Sequence, residues 1–215
     1  MTKTRLEAFS DGVLAIAITL LVIEIRPPEV HEGERLAHAL WAQWPSYAGY
    51  LVSFLTIGVI WLNHHRVFEQ VARVDGPLLL LNLNLLLWTA LIPFPTAVVA
   101  ENLGAGGDAA ETASALYCGV LLLMSLSFGG LFAWVTHDDR LLHRLPPPGV
   151  TRAARLRFMF GLAVYAAAFA LSWVSAPLAL VLCALMALYY AFDQASVPAE
   201  PAPGDQRPTV PPALE

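Results

Sequence analysis

The stretch RLEAFSDGVLAIAITLLVIE, residues 5–24, decides how this chain is built, because ionisable side chains flank a long apolar run. A helix that spans a bilayer needs about 20 predominantly apolar residues. The run Ala8–Ile25 approaches that length only if Ser10 and Asp11 lie inside the helix. Ionisable residues inside a membrane helix are costly, and they usually face protein or water. The stretch therefore predicts a first spanning helix that carries a functional or structural polar pair.

The composition of the whole chain also indicates a membrane protein. Of its 215 residues, 57% are hydrophobic and 13% are charged, whereas soluble domains carry about 25% charged residues. The formal net charge of -5 argues against a nucleic-acid partner, which would require a basic face. Cys118 and Cys183 each lie in an apolar run, and we expect small buried side chains rather than a disulfide or a metal site.

Apolar runs predict an all-α integral membrane protein with six transmembrane helices per subunit in residues 1–195. The runs are Ala8–Ile25, Tyr47–Leu62, Leu78–Ala100, Ala113–Val135, Phe158–Val174 and Pro177–Phe192. The last two are short and nearly continuous, but one helix over both would extend about 50 Å, too long for a single crossing. We therefore predict a tight hairpin, with Pro177 in the first turn of the last helix. The Pro-, Ala- and Glu-rich residues 196–215 predict a disordered cytoplasmic tail.

The distribution of basic residues predicts that both termini are cytoplasmic. With the N-terminus inside, the outer segments hold Arg26 and Arg35, and the inner segments hold the other ten of the twelve Lys and Arg residues. This asymmetry follows the positive-inside rule. The inner residues are Lys3, Arg5, Arg66, Arg73, Arg140, Arg144, Arg152, Arg155, Arg157 and Arg207.

Polar and amphipathic segments outside the first helix carry two further predictions. Residues 31–44 place apolar side chains and two tryptophans at helical spacing, which is typical of a short helix on the membrane surface. Asn82, Asn84 and Trp88 lie within the third apolar run, and we expect them to form hydrogen bonds between helices or to face a water-filled crevice. Pro93 and Pro95 should end or kink that helix.

The first helix presents different side chains on different faces. At about 100° per residue, Ile16, Thr19, Leu20 and Ile23 form one stripe. Ser10 and Asp11 point away from this stripe. Spacing alone is compatible with ordinary core or lipid contacts for the stripe, and with either an N-cap or a buried polar pair for Ser10-Asp11.

Arg5-x-x-x-Phe9-Ser10-Asp11 at the start of an apolar first helix resembles the signature of the transmembrane protein 175 family of potassium channels. The segment WLNHHR, residues 61–66, at the end of the second apolar run is similar to the prokaryotic branch of that family. The number of apolar runs and the chain length agree with this resemblance over nearly the whole chain.

The resemblance implies a homotetramer of six-helix subunits in which the first helix of each subunit lines a central pore. It implies an apolar constriction formed by Ile16, then Thr19 or Leu20, then Ile23. The chain contains no TVGYG loop, so the carbonyl-ring selectivity of other potassium channels is not expected. The Thr19 hydroxyl is then the polar group on the stripe that would contact a partly dehydrated ion, and the selectivity should be modest.

The resemblance also implies that the remaining motif residues form a structural polar network near the cytoplasmic end. We expect a buried Asp11 to be satisfied by hydrogen bonds or by one of the cationic side chains nearby. No metal role is predicted, because neighbouring histidines on a helix point about 100° apart. The residues of this predicted network are Arg5, Phe9, Ser10, Asp11, Asn63, His64, His65 and Arg66.

The resulting prediction is a passive, potassium-favouring cation channel in the plasma membrane, without a cofactor and without enzymatic activity. Its expected partners are further copies of itself, membrane lipid, and potassium and other monovalent cations. A secondary transporter coupled to protons through Asp11 or Glu24 is the first alternative, although broken helices and inverted repeats are not evident. A membrane enzyme that uses Asp11 and the histidines is the second.

Overall fold

The computed structural model describes residues 2–29, 32–137, 141–143 and 148–195. The described backbone is helical apart from connecting turns and one isolated bridge between Val71 and Leu142. The predicted tail at residues 196–215 lies outside the described residues. The helices are α1 (Lys3–Ile23), α2 (Leu36–Ala42), α3 (Trp44–Gln70), α4 (Gly76–Leu91), α5 (Pro93–Asn102), α6 (Gly107–His137), α7 (Pro148–Leu171) and α8 (Ala176–Ala195), with a 3₁₀ turn at Leu103–Ala105 between α5 and α6.

Five helical segments in the described part of the chain are long and apolar enough to cross a membrane. These segments are α1, α3, the run Gly76–Ala105, α6 and Thr151–Leu171, while the apolar part of α8, Ala176–Phe192, is shorter. The all-α, multi-pass architecture is therefore confirmed. Six crossings per subunit remains a prediction that depends on α8.

The turn between α7 and α8 confirms the predicted hairpin. Helix α7 ends at Leu171, and α8 begins at Ala176 immediately before Pro177. The last turn of α7 is closed by the amide of Ser175, which donates to the Leu171 carbonyl at 2.9 Å. Because α7 and α8 pack against each other, the two helices form an antiparallel pair rather than one long helix.

The two prolines of the third apolar run kink it instead of ending it. Helix α4 ends at Leu91, and α5 begins at Pro93 with Ile92 still in helical conformation, φ -51° and ψ -40°. Proline has no N–H, so Pro93 cannot donate to the Thr89 carbonyl. Ile92 donates to that carbonyl instead, at 3.2 Å. The chain can therefore continue through a bend to Ala105.

Helix α6 lies at the centre of the subunit and contacts α4, α5, α7 and α8. Small residues let its neighbours approach closely, as expected for helices packed in a membrane. At Gly119, an added Cβ would lie 3.3 Å from the Phe169 ring of α7. Helix α1 packs on a different side of the subunit, against α3, α4 and α5.

Two connections meet at one end of the bundle. The Ala72 amide donates to the Leu141 carbonyl at 2.7 Å, and the His143 amide donates to the Gln70 carbonyl at 2.9 Å. These contacts place the α3–α4 connection beside the segment that follows α6. The sequence assigns both segments to the cytoplasmic side, and their proximity is consistent with that assignment.

The surface helix predicted for residues 31–44 is shorter in the structure. It forms α2 over Leu36–Ala42, and α3 begins at Trp44. His31 lies outside the described residues. The side chains of Trp41 and Trp44 are 79% and 54% exposed, as expected for tryptophans that contact a membrane interface.

Candidate functional site

Helix α1 has a buried face that fixes its rotation in the subunit. The side chains of Leu6, Ser10, Leu14, Ala17 and Leu21 are at most 2% exposed. Their spacing of three and four residues is the period of one helical face. Everything else on α1 is oriented by this face, because the helix cannot rotate without exposing it.

The predicted stripe lies about 130° around the helix from the buried face. Ile16 and Ile23 are 61% and 67% exposed, and Leu20 is 41% exposed. Thr19 and Gly12 are also exposed. The structure thus places the four predicted constriction residues together on the outer surface of the subunit, which is where a surface shared between subunits must lie.

The hydroxyl of Thr19 is oriented by its own helix. Its Oγ1 donates to the Ile16 carbonyl oxygen at 2.9 Å. A hydroxyl has one proton and two acceptor lone pairs. Because the proton is used within α1, the lone pairs of Oγ1 remain available to an outside donor or a cation.

Ser10 belongs to a buried chain of hydrogen bonds that joins α1, α3 and α4. Its Oγ donates to the Leu6 carbonyl at 2.9 Å and accepts from Nδ2 of Asn82 at 2.9 Å. The other end of the same amide, Oδ1 of Asn82, accepts from Nε2 of His64 at 2.8 Å. The prediction that Asn82 forms hydrogen bonds between helices is confirmed, because its side-chain amide donates to α1 and accepts from α3.

His64 is held in this chain by packing as well as by its hydrogen bond. The side chain is 1% exposed, and its ring stacks on Phe68 with centroids 4.2 Å apart. Because Oδ1 of Asn82 is a carbonyl oxygen, Nε2 of His64 must carry the proton. Ser10 and His64 are both buried and both hydrogen-bonded to buried Asn82, so these contacts fix the position of α1 against two other helices.

Asp11 departs from the sequence-based expectation in two ways. It is exposed rather than buried. Its carboxylate accepts a hydrogen bond, as one of the two alternatives expected, but the donor is Nε1 of Trp61 at 3.0 Å and not Arg5, His64, His65 or Arg66. The helical rotation explains the first difference, because one residue beyond buried Ser10 points about 100° away. The N-cap interpretation is also wrong, because α1 begins at Lys3.

The other motif residues are divided between surface and interior. Arg5 and Phe9 are exposed on α1, while Asn63 is buried on α3. His65 pairs with Glu69 at 3.4 Å, and its ring stacks with Trp61 at 6.3 Å between centroids. Within the described ranges, no three His, Cys, Asp or Glu side chains are grouped as a metal site would require.

Further polar contacts hold the bundle together away from α1. Asn84 donates from Nδ2 to Ser127 Oγ at 2.6 Å, which joins α4 to α6. The sulfur atoms of Cys118 and Cys183 are 3.6 Å apart, and both thiols are free and buried. Neither contact involves the α1 stripe.

Comparison with known proteins places this arrangement in a family. Residues 5–93, which contain most of α1, all of α3 and α4, and the hydrogen bonds of Ser10, Asn82 and His64, match the family described as endosomal/lysosomal potassium channel TMEM175. The chain is 48% identical over 198 residues to a potassium channel of Streptomyces collinus, covering 92% of this chain and 96% of that relative. The chain belongs to the TMEM175 family. Its family and curated relatives are ion channels and not enzymes.

A solved TMEM175 structure extends the similarity to three dimensions. A lysosomal potassium-selective channel TMEM175 homologue from Chamaesiphon minutus has a TM-score of 0.79 and 39% sequence identity, over 89% of this chain and 97% of that chain. Human TMEM175, described as an endosomal/lysosomal proton channel, is 40% identical over 90 residues, 38% of this chain and 18% of that protein. The similarity therefore covers about nine tenths of this chain in the Streptomyces and Chamaesiphon proteins and 38% of it in the human protein.

Proposed function

We propose that this chain forms a homotetrameric, passive, potassium-favouring cation channel in the plasma membrane, with α1 of each subunit lining a central pore. The observation that carries the proposal is the exposed α1 stripe on the outside of a subunit whose bacterial relative is named a potassium channel. A stripe on the outer surface of one chain cannot enclose a pore by itself. Several subunits arranged around an axis can enclose one. Measurement of the mass of the detergent-solubilised protein should therefore give a complex of four chains.

The residues of the stripe suit a hydrophobic constriction. Ile16, Leu20 and Ile23 are separated by about one helical turn each, so each would contribute one ring of apolar side chains. Apolar constrictions control ion passage by excluding water. The Ser10–Asn82–His64 chain supports this role, because it holds α1 from the opposite side and keeps the stripe facing outward.

The test of the proposed function is ion flux through purified protein in liposomes. We expect rapid, passive flux that follows the potassium gradient, with less flux of sodium. Saturating flux that requires a proton gradient would instead indicate a coupled carrier. Because the human relative is named a proton channel, proton flux at zero potassium gradient should be recorded in the same preparation.

Thr19→Val should lower the preference for potassium over sodium. The substitution keeps the branched shape but removes Oγ1, whose lone pairs are not used by the described residues. If these oxygen atoms replace water around a partly dehydrated potassium ion, their loss should raise sodium flux relative to potassium flux. The measurement is the ratio of the two fluxes, with Thr19→Ser as the variant that retains the oxygen. An unchanged ratio in Thr19→Val would locate selectivity elsewhere.

Asp11→Asn should leave assembly and potassium flux close to those of the unmodified protein. Its amide oxygen can still accept from Trp61 Nε1, and an exposed bond of this kind contributes about 1 kcal/mol or less. Asp11→Ala removes the acceptor and should lower the melting temperature slightly. The proton-coupled transporter predicts a different result, in which Asp11→Asn assembles normally and loses proton-dependent transport. Size-exclusion chromatography and proton-gradient flux, measured on both variants, distinguish the two.

A further inference from the structure

A groove of about 700 Å³ opens between α4, α6 and α7. Leu81 of α4, Leu126 of α6 and Met159 of α7 contribute apolar walls. Its volume falls within the range of about 300–1,000 Å³ that is usual for ligand sites. Helix α7 packs against α6 and α8, whereas α1 packs against α3, α4 and α5. The α7 wall therefore belongs to a helix that α1 does not pack against.

Two polar side chains in this groove, Arg155 and Trp88, can only donate hydrogen bonds and have no partner among the described residues. Arg155, Asn84, Trp88 and Ser125 all line it. Asn84 uses one amide hydrogen on Ser127, and no other hydrogen bond within the described ranges engages Asn84, Trp88 or Ser125. Guanidinium and indole groups can only donate. Polar groups left unsatisfied at membrane depth are costly, so the groove fits a ligand rich in acceptor oxygen atoms.

The order of these groups along the helices matches one class of amphiphile. At 1.5 Å per residue, Arg155 lies about 10 Å from the start of α7, and Asn84 and Trp88 lie about 12 and 18 Å from the start of α4. Both helix starts are at the end that the sequence assigns to the cytoplasm. The cationic group is therefore nearest the aqueous side, the neutral donors are deeper, and apolar walls surround them. A phosphoglyceride has the same order of phosphate, ester carbonyls and acyl chains.

We propose that this groove binds an anionic phosphoglyceride of the cytoplasmic leaflet. Its phosphate contacts Arg155, its ester carbonyl oxygens accept from Asn84 and Trp88, and an acyl chain lies along the apolar walls. The charge of the groove favours an anion, because no described carboxylate lies within 4.0 Å of Arg155. Basic pockets between membrane helices bind anionic lipid headgroups in this way. The inference does not depend on which residues line the pore.

The test compares lipid retention by the purified full-length protein in detergent, using native mass spectrometry and melting temperature. The probes are phosphatidylglycerol, phosphatidylcholine with the same acyl chains, and glycerol phosphate alone. Arg155→Gln removes the cation, and Arg152→Gln, at an exposed arginine of the same helix that does not line the groove, is its control. Gly129→Leu fills the groove, since a Cβ at Gly129 meets no atom within 4 Å. Ala153→Leu, at an exposed position that does not line this groove, is the matched control for added apolar volume.

We expect phosphatidylglycerol to be retained in preference to phosphatidylcholine and to raise the melting temperature. Arg155→Gln should weaken phosphatidylglycerol retention about fivefold, the effect of one basic side chain on an anionic lipid. Gly129→Leu should abolish retention of both lipids with the lipid-free melting temperature unchanged, and the two controls should behave as the unmodified protein.

Three outcomes would overturn the proposal. Equal retention of the two lipids by the unmodified protein would show that the groove does not recognise the negative charge of the headgroup. A melting shift produced by glycerol phosphate alone would identify a phosphate site without a lipid. A change of oligomeric state in Gly129→Leu would show that a second copy of the chain covers this groove.

Discussion

Ile23→Asn should raise potassium flux through the reconstituted channel about tenfold or more, which corresponds to lowering the barrier by ~1.4 kcal/mol. The Ile23 side chain is 67% exposed on the α1 stripe, and in the proposed tetramer four copies form an apolar ring. Water leaves such a ring, and an ion cannot cross it without water or polar ligands. An amide in each subunit supplies both donors and acceptors, so the ring stays wet. Ile16→Asn should act in the same direction or reduce selectivity.

Val22→Asn is the control for this experiment. Val22 is 53% exposed and adjacent in sequence, but it points about 100° away from Ile23. It therefore introduces the same polar group at the same depth outside the proposed pore. Flux should be measured for potassium and sodium on protein shown to be tetrameric. Unchanged flux in intact Ile16→Asn and Ile23→Asn tetramers would show that both side chains contact lipid or other protein residues and do not line the pore.

Asn82→Leu should destabilise the subunit by about 2 kcal/mol, because the buried Nε2–H of His64 loses its acceptor. For a chain of this size, the corresponding fall in melting temperature is about 4–8 °C. Ser10 contributes less to the loss, since its hydroxyl proton stays bonded to the Leu6 carbonyl. A weakened attachment of α1 should also reduce the yield of assembled protein in size-exclusion chromatography.

Two further variants test whether the loss of stability comes from the buried hydrogen bonds of Asn82. Asn84→Leu is the same substitution on the same helix, but Asn84 is exposed, and its partner Ser127 still donates to the Leu123 carbonyl at 2.7 Å. Its effect should be clearly smaller. The double variant Asn82→Leu with His64→Phe removes the orphaned donor and should recover part of the loss. If Asn82→Leu and Asn84→Leu lower the melting temperature equally, the buried hydrogen bonds of Asn82 with Ser10 and His64 do not hold α1 in place.

The sequence predicts the helices of this protein better than it predicts their contacts. Length and apolarity suffice to place the five long apolar helices and the turn before Pro177, because a helix satisfies all backbone hydrogen bonds of a spanning segment within that segment. Helical periodicity also suffices to group Ile16, Leu20 and Ile23 on one stripe. The neighbours of each face depend on how the helices are arranged around α6, and no local pattern contains that information.

The polar pair Ser10-Asp11 shows this limit most clearly. Treated as a unit, it leads to the expectation of a buried carboxylate that is held by hydrogen bonds or by a cationic partner. In the structure the two side chains face different neighbours, so Ser10 meets Asn82 and Asp11 meets Trp61. Asn82 could be recognised as an interhelical polar residue, but its two partners come from helices that precede it by 18 and 72 positions.

The buried thiols of Cys118 and Cys183 have a practical consequence for testing whether α1 lines the proposed pore. Both sulfur atoms are enclosed between α6 and α8, with 0% and 1% exposure of their residues. Water-soluble maleimides react with thiolates that they can reach, and these two sites offer neither access nor a polar surrounding. A reporter cysteine introduced at position 16, 19 or 23 would thus be modified against a silent background, without first removing the native pair. The native protein can therefore serve directly as the background for accessibility mapping of the proposed pore.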